Sequence, residues 1–154
     1  MNLQSPHLTI EMTEEIFYCQ EALPLESGES FPEFQLNFTT QGQLNANKDN
    51  VIWVMHALTG DANPQEWWSG LIGEDKFFDP SKYFIVCANF LGSCYGSTQP
   101  LSNDPQNRKP YYYDFPNITT RDIAAALDKL RIHLGLGKIN TVIGGSLGGQ
   151  VALE

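Results

Sequence analysis

Hydrophobic and polar positions change their pattern near Val51. Ahead of it, apolar residues come in short pieces. Residues 1–15 read as a polar lead-in with one short strand expected at His7-Leu8-Thr9-Ile10, and the domain proper is expected over 16–154. Ile16-Phe17-Tyr18-Cys19 is a strand candidate, and Leu23-Pro24-Leu25-Glu26-Ser27-Gly28 carries the proline and glycine of a turn. Phe34-Gln35-Leu36-Asn37-Phe38-Thr39 alternates apolar and polar, the period of a half-buried antiparallel strand. From Val51 the apolar runs become continuous: Val51-Ile52-Trp53-Val54-Met55, then Tyr83-Phe84-Ile85-Val86-Cys87-Ala88, then Thr141-Val142-Ile143. Such runs belong to parallel strands covered on both faces. Between the last two, Thr119-x-x-Asp122 opens a helix, Ile123, Leu127, Leu130 and Leu134 keep helical spacing, and Gly135 stops it.

The third run leads into Gly144-Gly145-Ser146-Leu147-Gly148-Gly149 and then into Gln150-Val151-Ala152-Leu153-Glu154, a helix start. Strand, G-x-S-x-G and helix in that order resemble the nucleophile elbow of the α/β-hydrolase fold. The expected fold class is therefore α/β: antiparallel strands leading into a parallel sheet, an α/β-hydrolase fold truncated after its elbow strand. Gly144 and Gly148 are expected to be glycines because a β-carbon there would collide with the strand or the helix.

Composition narrows the partners more than the fold. Hydrophobic residues at 42% and aromatics at 12% suffice for a core. A net charge of −9 with scattered basic residues argues against nucleic acid and acidic membrane surfaces. No segment has the length of a membrane span or a signal peptide, so a cytoplasmic protein is expected. Cys19, Cys87 and Cys94 form neither a disulfide framework nor a zinc signature, and no metal site is expected. Cys87 reads as a core residue. Phosphate-loop and dinucleotide spacings are absent.

Ser146 is the candidate nucleophile. A serine hydroxyl needs a base to take its proton and a third group to orient that base, and in this fold those partners follow the serine in sequence. After Ser146 the chain offers Glu154 and no histidine. His7 reads as tail and His133 as the exposed end of a helix. His56 follows the first buried strand, in the loop that supplies an oxyanion donor, and is expected to shape that loop rather than to act as a base. By position the two oxyanion donors are the backbone N–H groups of Leu58 and Leu147. Gly92-Ser93-Cys94-Tyr95-Gly96-Ser97-Thr98 follows the second buried strand and reads equally as a pocket wall or as a plain connection. Trp67-Trp68 reads as packing rather than a ligand platform, and Tyr111-Tyr112-Tyr113 likewise.

Together these stretches resemble the homoserine O-acetyltransferase family. The resemblance runs through Leu23–Gly28, Asp49-Asn50-Val51, His56-Ala57-Leu58-Thr59-Gly60-Asp61, Trp67-Trp68-Ser69-Gly70-Leu71-Ile72-Gly73, Asn89 to Thr98, Asp114-Phe115-Pro116, Thr119-Thr120-Arg121-Asp122 and the elbow. It implies an acyltransferase of methionine biosynthesis that moves an acetyl group from acetyl-CoA, a co-substrate, to the hydroxyl of L-homoserine through an acyl-Ser146. It also implies a cytoplasmic homodimer with a helical lid and no bound cofactor. The elbow reads Gly-Gly-Ser-Leu-Gly-Gly-Gln where many members carry methionine after the serine, a change that leaves the backbone donor intact. The triad aspartate and histidine, the lid and the carboxylate-binding arginine have no counterpart here. The chain is therefore expected to be an inactive N-terminal half with an unpaired elbow-strand edge. Alternatives within the same chemistry are a succinyl-CoA donor, an L-serine acceptor or an esterase; outside it, a non-catalytic remnant.

Overall fold

A computed structural model describes residues 10–154. Of the expected strand at His7–Ile10, residues 7–9 lie outside the described residues and Ile10 is not in a strand. The first strand, β1, covers Met12–Cys19 and so takes in four residues that the polar pattern assigned to the lead-in. It is the outer strand, with Thr13, Glu14 and Glu15 exposed, and charge on an edge strand discourages pairing with other chains. A two-stranded hairpin follows, β2 (Leu23–Pro24) with β3 (Ser30–Phe31), turning at Gly28.

Strand β4 (Phe34–Gln41) pairs antiparallel with β1 and with β6 (Phe84–Ala88); β6 runs parallel to β5 (Val51–Met55), and β5 runs parallel to β7 (Thr141–Gly144). The sheet order is β1-β4-β6-β5-β7. Two expectations change here. The alternating strand β4 is not half-buried: Asn37, Thr39 and Gln41 are buried on its second face. Each is satisfied, Asn37 donating to Glu14, Thr39 to the Ala62 carbonyl and Gln41 to the Ile10 carbonyl. Their polarity therefore marks a hydrogen-bonded second layer rather than a wet face. Strand β7 is the edge among the described strands, as expected, but it is not covered on both faces: Val142 is 42% exposed.

The helix α1 (Pro64–Trp67) was not anticipated. Helix α2 (Thr120–His133) follows the reading closely, with a reciprocal capping box between Thr119 and Asp122 and a stop at Gly135, φ +63°. Its buried Ile123, Ala126, Leu127 and Leu130 pack on Trp53 and Met55 of β5, together with the short α3 (Leu147–Leu153). Trp67 and Trp68 pack on the opposite face, against Ile52, Val54 and Cys87. That bears out packing for the tryptophan pair and core for Cys87. Asp122 also accepts from the Glu26 N–H at 3.0 Å, which ties the hairpin to α2.

Candidate active site

From β5 the chain crosses to β6 on one side; from β6 it crosses back over β5 to β7 on the other. Strand order thus switches at the carboxyl end of β5, where open α/β sheets gather ligands. The loop after β5 and the turn after β7 both open there.

The turn after β7 holds Ser146 at φ 54°, ψ −125°, a strained conformation for a residue with a side chain, and leaves it exposed. A β-carbon on Gly144 would sit 2.5 Å from the carbonyl carbon of Gly148, and one on Gly148 would sit 2.6 Å from the His56 oxygen. Helix α3 can start this close to β5 only because both positions are glycine.

Leu58 and Leu147 line one cavity of about 520 Å³ together with His56, Phe90, Gly92, Ser93 and Cys94. Of Gly92–Thr98, the first three residues form part of the cavity wall and the remainder is connecting loop. A buried amide network holds it there. Asn89 donates to Asn37 Oδ1 and to the Tyr95 carbonyl, both at 2.7 Å, and the Ser97 hydroxyl donates to the Asn89 carbonyl at 2.6 Å. Thr98 Oγ1 accepts from the Gln35 N–H at 2.9 Å. Asn37 and Asn89 were missed as site-shaping residues; the signal was an asparagine inside one strand and another directly after a buried one. Phe115, Ile118 and Thr119, read only as motif and helix start, also line the cavity.

His56 is 1% exposed and stacks on Phe90 at a ring separation of 3.9 Å. The Phe90 N–H donates to His56 Nε2 at 3.0 Å, so that nitrogen carries the lone pair. In the neutral ring the proton is then on Nδ1, which donates to the Ala57 carbonyl at 2.7 Å. Burial lowers the imidazole pKa, outweighing the opposing pull of the Ala57 carbonyl and the Asp61 carboxylate. Both ring nitrogens are engaged, which bears out a loop-shaping role and leaves no lone pair for Ser146. Glu154 accepts from Arg121 at 3.0 Å, and the His133 ring lies tilted against Phe17 at a centroid separation of 4.7 Å. Among the described residues, none of these groups is hydrogen-bonded to Ser146. No group of three or more metal-ligating side chains occurs among them, and no helix there is long and apolar enough to cross a membrane.

Residues 50–154 match the family described as alpha/beta hydrolase fold. The chain belongs to that family. As an α/β-hydrolase it is 93% identical, over all 154 residues, to homoserine O-acetyltransferase from Cyclobacterium marinum, of which it covers 44%. A crystal structure of homoserine O-acetyltransferase from Bacillus anthracis superposes with a TM-score of 0.84 at 29% identity, covering 92% of this chain and 42% of that one. An acetylester hydrolase from Corynebacterium glutamicum superposes with a TM-score of 0.77 at 32% identity, covering 90% and 38%. The expected fold and the expected likeness to homoserine O-acetyltransferases are both met. The chain spans less than half the length of these proteins.

Proposed function

We propose that this chain is the nucleophile-bearing part of a longer acetyl-CoA:L-homoserine O-acetyltransferase acting in methionine biosynthesis. The observation that carries the reading is the strained, exposed Ser146 at an elbow whose next residue, Leu147, lines one cavity with Leu58. The 93% identity to the C. marinum enzyme supports the choice of reaction.

In this mechanism Ser146 Oγ attacks the thioester carbonyl while its proton passes to a base. The carbonyl oxygen becomes an oxyanion and accepts hydrogen bonds from the Leu58 and Leu147 N–H groups. Such a donor is typically worth about 2.7–4 kcal/mol in the transition state. Collapse breaks the C–S bond, the base returns its proton to the CoA sulfur, and CoA departs, leaving acetyl-Ser146 behind. The homoserine hydroxyl then attacks the ester and loses its proton to the same base; collapse breaks the acyl–Oγ bond, the base returns the proton to Ser146 Oγ, and the O-acetyl product departs. The base and its orienting carboxylate belong, in this reading, to sequence following residue 154, the order in which this fold places them. Residues 1–154 by themselves are then inactive. The longer protein is read as a cytoplasmic homodimer that needs no metal or bound cofactor.

A second reading, an esterase, is favoured by the likeness to the C. glutamicum acetylester hydrolase. Water would replace homoserine in the second step. A succinyl donor or an L-serine acceptor would keep every residue role above. The test is to incubate the full-length protein with acetyl-CoA and follow CoA by chromatography. Release that requires L-homoserine supports the transferase, and release without an acceptor supports the hydrolase. Succinyl-CoA and L-serine are run in parallel to decide donor and acceptor.

A further inference from the structure

The Ala57 carbonyl that His56 Nδ1 reaches belongs to the same peptide unit as the Leu58 N–H. A peptide unit is planar and trans, so its oxygen and its hydrogen point in opposite directions. Fixing one end of that plane aims the other. The Ala57 oxygen also accepts from the Gly60 N–H at 2.9 Å, closing a tight turn. Two donors on the Ala57 oxygen restrain the plane more than the Gly60 N–H would by itself.

We propose that His56 is a positioning residue that aims the Leu58 amide at the developing oxyanion, through the shared Ala57–Leu58 peptide plane. The inference rests on the acyltransferase reading above and deepens it: the donor is a backbone group, but its direction is set by a side chain. The Phe90 N–H on Nε2 selects the tautomer that makes this possible, because it leaves the only ring proton on Nδ1. The stack on Phe90 sets the ring plane. Burial keeps the ring neutral near neutral pH. A hydrogen bond to the carbonyl also polarises the amide and strengthens its N–H as a donor.

The ring makes two bonds that can be removed separately. His56→Asn keeps a donor near the position of Nδ1 and loses the acceptor for Phe90. His56→Gln places an acceptor near Nε2 and loses the donor to Ala57. His56→Phe keeps the stack and loses both. In the full-length protein, single-turnover acetylation by acetyl-CoA is expected to fall about 10²-fold in His56→Phe and His56→Gln, with KM for acetyl-CoA little changed. His56→Asn is expected to recover most of that loss. Loss in His56→Asn with retention in His56→Gln would overturn the proposal, because the Phe90 bond alone would then matter. Equal loss in all three with a matching rise in KM would overturn it too. Should the variants fail to fold, ¹⁵N spectra of the histidine-labelled unmutated protein decide. A protonated Nδ1 and a bare Nε2 on His56 are expected, and the opposite tautomer or an imidazolium at pH 7.5 sinks the idea. Ser146→Ala separates the two levels: acetyl transfer surviving in that variant defeats the acetyl-Ser146 route on which the inference rests. Transfer abolished there but unaffected by His56→Phe defeats only the role of His56.

Discussion

A β-carbon on Gly148 would overlap the backbone carbonyl oxygen of Met55 and lie 2.7 Å from its carbonyl carbon. The contact joins the first turn of α3 to the carboxyl end of β5. It seats the candidate nucleophile beside the loop that carries Leu58. Neither partner is a flexible side chain, so a larger residue must move main chain on one side or the other.

Gly148→Ala is therefore expected to destabilise the full-length protein by about 3 kcal/mol, the upper end of ordinary overpacking, and to reduce Ser146 acetylation. Gly145→Ala is the control. Its β-carbon would meet only Trp68 Cζ2, at 3.8 Å, and its stability should stay within about 0.5 kcal/mol of the parent. Denaturant midpoints measured on both variants check the contrast.

Asp122 is the buried carboxylate that holds the hairpin to α2. It accepts from the Glu26 N–H at 3.0 Å through one oxygen and from the Thr119 N–H at 2.9 Å through the other. Removing it strands two main-chain donors and undoes the capping box. Asp122→Ala should cost about 2–4 kcal/mol. Arg121→Ala breaks only exposed ion pairs with Glu26 and Glu154 and should change stability by less than about 1 kcal/mol. Urea titrations compare the two.

Acid should weaken the fold through His56. Its pKa in the folded protein is lowered, chiefly by burial, from an ordinary value of 6.5. Between those two values the unfolded chain binds the proton and the folded one does not, so stability rises with pH across that window. The contribution is fully present above the ordinary value and is lost as pH falls through the window. The melting temperature of the full-length protein should drop below about pH 6.5. In His56→Phe that part of the slope should vanish.

Val142 is 42% exposed on β7, the open edge of the described sheet. An apolar residue on an unpaired strand edge promotes edge-to-edge association. A polypeptide of residues 1–154 should show no acetyl-CoA turnover and should sediment as aggregates. Val142→Lys should raise its soluble fraction several-fold in a centrifugation assay. A soluble monomer that melts cooperatively and turns over acetyl-CoA would refute the expectation.

Much of this protein is written in local pattern. The continuous runs at Val51–Met55 and Phe84–Ala88, the cap at Thr119 and the stop at Gly135 depend on periodicity and backbone chemistry within a few residues, so they are legible in the chain itself. The elbow is legible from its G-x-S-x-G spacing between an apolar run and a helix start, although the main chain that crowds Gly148, at Met55 and His56, is distant in sequence. Folding alone decides what depends on partners distant in sequence. Asn37 looks like the wet side of a strand until Asn89, Ser97 and Glu14 arrive to satisfy it. His56 reads as a loop-shaping residue from its position, but its tautomer is fixed only when the Phe90 N–H reaches Nε2. A polar side chain's role is set by which donors and acceptors meet it, and those meetings span tens of residues that no local pattern records.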